Sequence, residues 1–168
     1  AVAYAIDRDR INNNLFRGLG VIQNSPISVQ SPYFLQQGLK VYDYNPDRAR
    51  ELLKSAGFRY NDQGQLLDWD GNRVRFTLLT NTNNLVRVAM GSQIKQDLSK
   101  IGIQVDFVPL NFNVLIEKTS TSRDWDAHII GFTESNRTRQ ATYGLAAAHL
   151  TPSTSSSSLG NRQFRVGN

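Results

Sequence analysis

Cysteine is absent from this chain of 168 residues. Without it the protein cannot form disulfide bonds, zinc sites built from thiolates or a cysteine nucleophile. This absence suits an oxidising compartment but does not identify one. Long hydrophobic runs are also absent, and the longest apolar stretch is far too short to cross a bilayer. The hydrophobic fraction of 39% and the charged fraction of 20% are typical of an ordinary soluble protein of about one domain.

Histidine is scarce, because His128 and His149 are the two such residues in the chain. Asp126 and His128 share a strand face only as an i, i+2 pair, and no further metal-ligating residue clusters with them. The glycines at positions 18 and 20 lack the third glycine and the Lys-Ser/Thr pair of a phosphate-binding loop. We therefore expect no catalytic residue, no metal site and no cofactor.

Acidic residues are missing from the C-terminal segment, and this accounts for the basic character of the chain. From Ser135 onward there are four arginines and no acidic residue, whereas the first 134 residues carry 15 basic and 14 acidic groups. A nucleic-acid-binding protein needs a concentrated basic face. The body of the chain has no such concentration, so we expect no nucleic-acid partner.

The most informative pattern is a β-α-β unit. Arg75–Thr80 is a short apolar run typical of a strand, and apolar residues then recur every three to four positions from Leu85 to Ile101, as in a helix. Gly102 ends this helix where a left-handed cap is favoured. Ile103–Phe107 alternates apolar and polar residues, which predicts a second strand.

The same alternation of helix and strand continues toward the C-terminus. Asn113–Thr121 predicts a further helix and Trp125–Phe132 a further strand. Strands that alternate with helices predict an α/β sheet. Ligands of such sheets bind in the loops beyond the carboxyl ends of the strands. The candidate binding segments are therefore Asn81–Asn84 and Phe132–Glu134.

Two helices and a hairpin are predicted before this unit. Tyr4–Phe16 has the apolar stripe of one helix, and Asn45 with Pro46 is a strong helix start that leads to a stop at Gly57. The Asp70-Gly71 pair predicts a turn that folds residues 65–68 back on the first strand. No signal peptide is visible in the sequence, and the uncapped helical opening leads us to expect a piece of a longer protein.

Four segments in one order resemble a known family. They are AYAIDRDRINNNLFRGLG, SPISVQSPYF, YDYNPDRARELLKSAGF and QIKQDLSKIGIQVDFVPLNFNVLIEKTSTSRDWDAHIIGF. Together they resemble the extracellular solute-binding proteins of family five, the peptide, nickel and opine receptors of bacterial ABC importers. The resemblance covers Ala1 to about Thr133. This part is similar to the second large lobe of such a receptor, without the first lobe and the final return segment.

The resemblance implies a two-lobed clamshell, periplasmic or lipid-anchored outside the cell, that closes around an oligopeptide and docks on membrane permease subunits without catalysis. It implies that two segments face the ligand, namely Asn81, Thr82, Asn83 and Phe132, Thr133, Glu134. Phe132 would stack on the ligand, or else be a buried strand residue, and Glu134 would receive a peptide amine. Some dipeptide receptors place an arginine near the first loop, and this chain has none within Asn81–Asn84.

The fold expectation is therefore α/β, with residues 1–134 as a partial periplasmic-binding-protein-like lobe whose mixed sheet is flanked by helices. Residues 135–168 depart from the family and are expected to be a disordered C-terminal tail. With suitable codons, a shifted reading frame converts this tail into family-like sequence, so we interpret it as the product of a reading-frame error near Glu134. A genuine disordered terminus is the competing explanation.

Two alternative functions follow from the residues. One is a small α/β hydrolase that uses Asp126, His128 and a distant serine, which requires those side chains to converge in one pocket. The other is a free-standing domain whose basic tail, from Ser135 to Asn168, binds nucleic acid.

Overall fold

The computed structural model describes residues 1–25, 29, 34 and 37–131, together with the backbone of 148–150 and 164–166. The described helices are α1 (Val2–Ala5), α2 (Arg8–Phe16), α3 (Pro46–Ser55), α4 (Leu85–Ser99) and α5 (Phe112–Ile116). The described strands are β1 (Arg59–Tyr60), β2 (Leu66–Leu67), β3 (Arg75–Asn81), β4 (Gln104–Leu110), β5 (Ala127–His128), β6 (Ala148–Leu150) and β7 (Phe164–Val166). None of the described helices is long and apolar enough to span a membrane.

The centre of the fold is a three-stranded parallel sheet in the order β4-β3-β5. β3 and β4 are paired along seven residues each, from Arg75 with Gln104 to Asn81 with Leu110. Leu78 and Leu79 are both buried although successive strand residues point to opposite faces, so both faces of the central strand are covered. The expected α/β class is confirmed. Within the described residues the central sheet is parallel rather than mixed as expected, because the antiparallel pairs lie in separate two-stranded ribbons.

The connection from β3 to β4 depends on two glycines. A Cβ atom at Gly91 would overlap the ring of Phe107, so the glycine lets α4 lie directly on β4. Gly102 has φ +77° and follows α4 as expected. A Cβ at Gly102 would come within 2.7 Å of the backbone at Gly64 and Leu66. This position therefore requires glycine for its conformation and for its space.

The helix start at Asn45 is confirmed, and its side-chain oxygen accepts a hydrogen bond of 2.8 Å from the Arg48 amide. The single helix predicted over Tyr4–Phe16 is wrong. The chain turns extended at Ile6 (ψ 120°), and Asp7 then caps a second helix by accepting from the Arg10 amide at 2.9 Å. The apolar stripe continues across this break because both helices pack against α4, so the pattern alone hides the cap.

Asp97 on α4 joins these N-terminal helices to the sheet unit. Its side chain has no solvent exposure, and its carboxylate accepts hydrogen bonds from the Asp7 amide at 3.1 Å and from the Lys100 ammonium at 2.9 Å. The Arg10 guanidinium donates to the same carboxylate. A buried carboxylate is tolerated because cations and an amide replace the water it loses. The Lys100 pKa is raised, mainly through its hydrogen bond to Asp97.

The predicted hairpin is present, but its first strand, β2, pairs with two neighbouring segments. β2 pairs antiparallel with β1 through the turn at residues 61–64. Leu67 also forms an antiparallel bridge with Arg73, and the Val74 amide donates to the Leu66 carbonyl at 2.8 Å. The side chain of Leu66 is therefore fully buried in the main core.

The elements after β4 differ from those predicted. The helix expected over Asn113–Thr121 begins one residue earlier, at Phe112, and changes after Ile116 into a π-helical turn that ends at Ser122. The strand expected over Trp125–Phe132 is reduced to Ala127–His128, which pairs with Leu78 and Leu79.

Most of the predicted tail lies outside the described residues. The backbones of β6 and β7 pair antiparallel within it. The expectation that residues 135–168 are disordered, and the reading-frame interpretation, therefore stay predictions.

Replacing Asp97 with asparagine should lower the free energy of unfolding by about 2 kcal/mol. The loss is moderate for a buried ion pair because the side chains of Arg10 and Lys100 also reach solvent. Urea denaturation of the 168-residue chain measures it. Asp106→Asn is the matched control, because its partner Arg75 is exposed, and it should cost less than about 1 kcal/mol. Equal losses for the two variants would contradict a central role for Asp97.

Candidate functional site

The carboxyl ends of the parallel strands meet at one edge of the sheet, which we call the carboxyl edge and which comprises Asn81–Asn84, Asn111–Phe112 and Ile129–Gly131. The Thr82 amide donates to the Leu110 carbonyl at 2.8 Å, so the loop after β3 lies beside the end of β4. The Ile129 amide donates to the Leu79 carbonyl at 2.8 Å. Backbone hydrogen bonds thus align the exits of the three strands, as ligand binding in such sheets requires.

The three predicted binding residues of the first loop differ in exposure. Asn81 is 4% exposed, whereas Thr82 and Asn83 are open to solvent. The Asn81 side-chain amide donates to the side-chain oxygen of Asn83. The buried Asn81 therefore holds the loop through its hydrogen bond to Asn83. Thr82 and Asn83 form the surface that a ligand could contact.

Arg87 belongs to this edge, although the sequence analysis did not select it. It lies in the first turn of α4, where its amide donates to the Asn84 side-chain oxygen at 3.0 Å. Its Nη1 atom donates to the Asn81 side-chain oxygen at 2.9 Å. A Cβ atom at Gly131 would lie 2.5 Å from Nη2, so the guanidinium rests against the chain that leaves β5.

The loop Asn81–Asn84 contains no arginine, but the first turn of α4 brings Arg87 back to it. The available signal was the spacing from the cap at Asn84, since the residue three positions after an N-cap lies on the first turn beside it. Nothing local in the sequence indicates the contact with Gly131, which comes from a distant segment.

The electrostatics of the carboxyl edge are those of a neutral to positive surface. In the described part of the chain, Arg87 forms no ion pair with an acidic side chain, and its hydrogen-bond partner is a neutral amide. Exposed apolar side chains flank the polar group, with Leu85 at 81% and Phe112 at 43% exposure. Amide, hydroxyl and guanidinium groups beside apolar side chains can bind the main chain and apolar side chains of a peptide.

The second predicted segment, Phe132–Glu134, lies outside the described residues, and the continuous described stretch ends immediately before it at Gly131. The stacking role of Phe132, the contact at Thr133 and the amine-binding role of Glu134 stay predictions. Gly131, the residue before this segment, lies against Arg87 and thus at the same edge as Asn81.

Comparison with known proteins agrees with this architecture. A family model for "Bacterial extracellular solute-binding proteins, family 5 Middle" matches residues 1–149. The oligopeptide-binding protein AppA of Bacillus subtilis is 31% identical over 136 residues, which is 79% of this chain and 25% of AppA. A probable ABC transporter-binding protein of Deinococcus radiodurans is 28% identical over 139 residues, covering 79% of this chain and 23% of that protein.

Solved structures give the same result. AppA of Bacillus subtilis in complex with a nonapeptide matches with a TM-score of 0.73 and 30% identity, over 77% of this chain and 26% of AppA. NikZ of Campylobacter jejuni in complex with Ni(L-His) matches with a TM-score of 0.62 and 27% identity, over 70% of this chain and 23% of NikZ. The resemblance expected from the sequence is thereby confirmed. The chain spans about a quarter of the length of these relatives.

The residues proposed for a hydrolase have structural contacts instead. The Asp126 carboxylate accepts a hydrogen bond of 2.8 Å from the Thr77 amide and so ties the start of β5 to β3. The His128 ring packs edge-on against Trp125, with ring centroids 4.4 Å apart. The described residues include no group of three or more His, Cys, Asp or Glu that could hold a metal. The hydrolase alternative is not favoured.

Asp126→Ala should lower the free energy of unfolding by about 1–2 kcal/mol, because the Thr77 amide loses its acceptor. Asp126→Asn keeps a side-chain oxygen at this position and should cost clearly less. Thermal or urea unfolding of the two variants makes the comparison. If both substitutions leave stability unchanged, the carboxylate does not hold the strand, and its structural role is excluded.

Proposed function

Because the chain belongs to the bacterial extracellular solute-binding proteins of family 5, we propose that it forms part of a receptor that captures oligopeptides outside the cytoplasmic membrane and delivers them to an ABC permease. The observation that carries this proposal is the agreement with AppA, an oligopeptide-binding protein, in both sequence and fold. NikZ, whose structure holds Ni(L-His), is less similar in fold, and the described residues of this chain offer no metal-binding cluster.

The proposed peptide site is the carboxyl edge. Asn81 supports the loop, and Thr82 and Asn83 offer exposed hydroxyl and amide groups to the peptide main chain. We propose that Phe132, Thr133 and Glu134 complete the site, with Phe132 stacking on the ligand and Glu134 receiving its amine. The apolar side chain of Leu85 stands beside the loop and adds a contact for an uncharged ligand side chain.

The proposed receptor binds without catalysing a reaction. Its partners are the peptide, the other lobe of the complete receptor and the permease subunits. Its location is periplasmic or otherwise outside the cytoplasm, and it contacts the membrane only through the transporter or through a lipid anchor on the complete protein. The nucleic-acid alternative is not favoured, because it rests only on the four arginines beyond Glu134 and the relatives of this chain are solute-binding proteins.

The boundary at residue 134 and the reading-frame interpretation remain proposals. Sequencing the encoding DNA from upstream of Ala1 to beyond Asn168 tests both. A shifted frame that continues the receptor pattern would support the interpretation. A sound frame would make the tail the native sequence.

Peptide binding should be detectable at the carboxyl edge of the 168-residue chain. In ¹H–¹⁵N NMR, a nonapeptide of alanine, serine and glutamine with free termini should shift the amides of Thr82 and Asn83 and leave that of Gly64, at the turn between β1 and β2, unchanged. We expect weak binding, because the receptor closes two lobes around its ligand. Replacing the aligned segment of AppA with this sequence should restore binding that calorimetry can measure.

Two results would contradict the proposal. One is the absence of any peptide-induced shift in the chain together with loss of binding in a folded AppA hybrid. The other is a set of shifts confined to residues far from the carboxyl edge, which would place the ligand elsewhere.

A further inference from the structure

We propose that Arg87 is a positioning residue that fixes the exposed part of the Asn81–Asn84 loop and the chain at Gly131 for the peptide ligand. This role rests on the peptide-binding function proposed above. Arg87 acts through its neighbours, since its guanidinium contacts the buried Asn81 and the backbone at residue 131.

Arg87 determines the orientation of the Asn81 side-chain amide. Arg87 Nη1 donates to its oxygen at 2.9 Å, and its nitrogen donates to the Asn83 side-chain oxygen. A guanidinium has donors but no acceptor, so it can bond only the oxygen end of Asn81. The nitrogen end is therefore directed to Asn83. The cation thus determines the position of an exposed loop residue that it does not itself touch.

Gly131 lies beside the same guanidinium. A Cβ atom there would lie 2.5 Å from Nη2, 3.4 Å from Cζ and 3.6 Å from Nε of Arg87, so the guanidinium lies against the backbone after β5. An added methyl group would displace the end of the flexible arginine side chain rather than unfold the sheet. Gly131→Ala should therefore break the same hydrogen bond to Asn81 that removal of the guanidinium breaks.

The contacts with Asn81 and Gly131 together require an arginine at position 87. Its backbone amide is fixed at the start of α4 by Asn84, and its planar guanidinium can reach Asn81 with one nitrogen while the other lies at Gly131. A lysine carries a single charged nitrogen on a flexible stem and cannot make both contacts. Arg87→Lys should therefore fail to preserve the geometry although it preserves the charge.

The chain offers a matched control in Arg48. Arg48 occupies the same place in α3 that Arg87 occupies in α4, three residues after an asparagine cap whose oxygen accepts from its amide. Its guanidinium forms an exposed ion pair with Glu51 at 2.9 Å, on a helix that packs against α1. Arg48→Gln therefore reproduces the change of residue type at an equivalent helix position without touching the site.

The first measurement needs no ligand. In ¹H–¹⁵N spectra of the 168-residue chain, Arg87→Gln, Arg87→Lys and Gly131→Ala should each shift the side-chain amide of Asn81 and the backbone amide of Asn83. Arg48→Gln should leave both unchanged. If the two asparagines are unaffected by all three site variants, the positioning role is overturned, whatever the chain binds.

The second measurement is the titration with the nonapeptide of alanine, serine and glutamine. For Arg87→Gln and for Gly131→Ala, the initial slope of the Thr82 shift with peptide concentration should fall about tenfold, and the double variant should be no weaker than either single one. The urea midpoints should stay close to that of Arg48→Gln. Additive losses, or losses that follow stability alone, would show a purely structural role.

The two proposals fail in different ways. If the unaltered chain shows no peptide-induced shift, the peptide-binding function is contradicted, and the ligand-free spectra still decide whether Arg87 positions the loop. If the peptide binds and all variants bind equally well, the function stands and the positioning role of Arg87 is wrong.

Discussion

The N-terminal part of the fold depends on the buried carboxylate of Asp97. It accepts hydrogen bonds from the Asp7 amide, Arg10 and Lys100, and so connects the start of α2 to the end of α4. The position of α1 follows, and α3 is attached in turn because the Asn45 amide donates to the Tyr4 carbonyl at 2.7 Å. A single satisfied charge therefore helps to orient three helices relative to α4, where apolar contact alone would be less directional.

The sequence predicted the elements whose signals are local. The parallel β3-α4-β4 unit, the cap at Asn45 and the stop at Gly102 each follow from periodicity or from one residue with a special conformation. The break at Ile6 was missed, because the residue that enforces it, Asp7, is held by Asp97 from far along the chain. Long-range polar contacts of this kind leave the apolar pattern unchanged, so periodicity cannot reveal them.

The candidate site likewise combines features that the sequence predicts with features set by contacts between distant residues. The location of the site follows from topology, since parallel strands bring their exits to one edge. The residues of the site do not follow from topology. Arg87 reaches Asn81 from the first turn of α4, and Gly131 comes from the chain after a third strand. The pairing of a glycine with a cation from another element is visible only in three dimensions. Sequence reasoning therefore found the place and missed one of its residues.

The continuity of the β3-α4-β4 unit has a consequence for how the chain acquires its structure. The unit occupies the unbroken stretch from residue 75 to residue 110, so its contacts close over short loops. The bonds from Asp7 and Arg10 to Asp97 span 90 and 87 residues. Contacts between distant residues form more slowly. We therefore expect α2, although it is synthesised before α4, to be among the last elements to dock, because its partner Asp97 lies on the later helix.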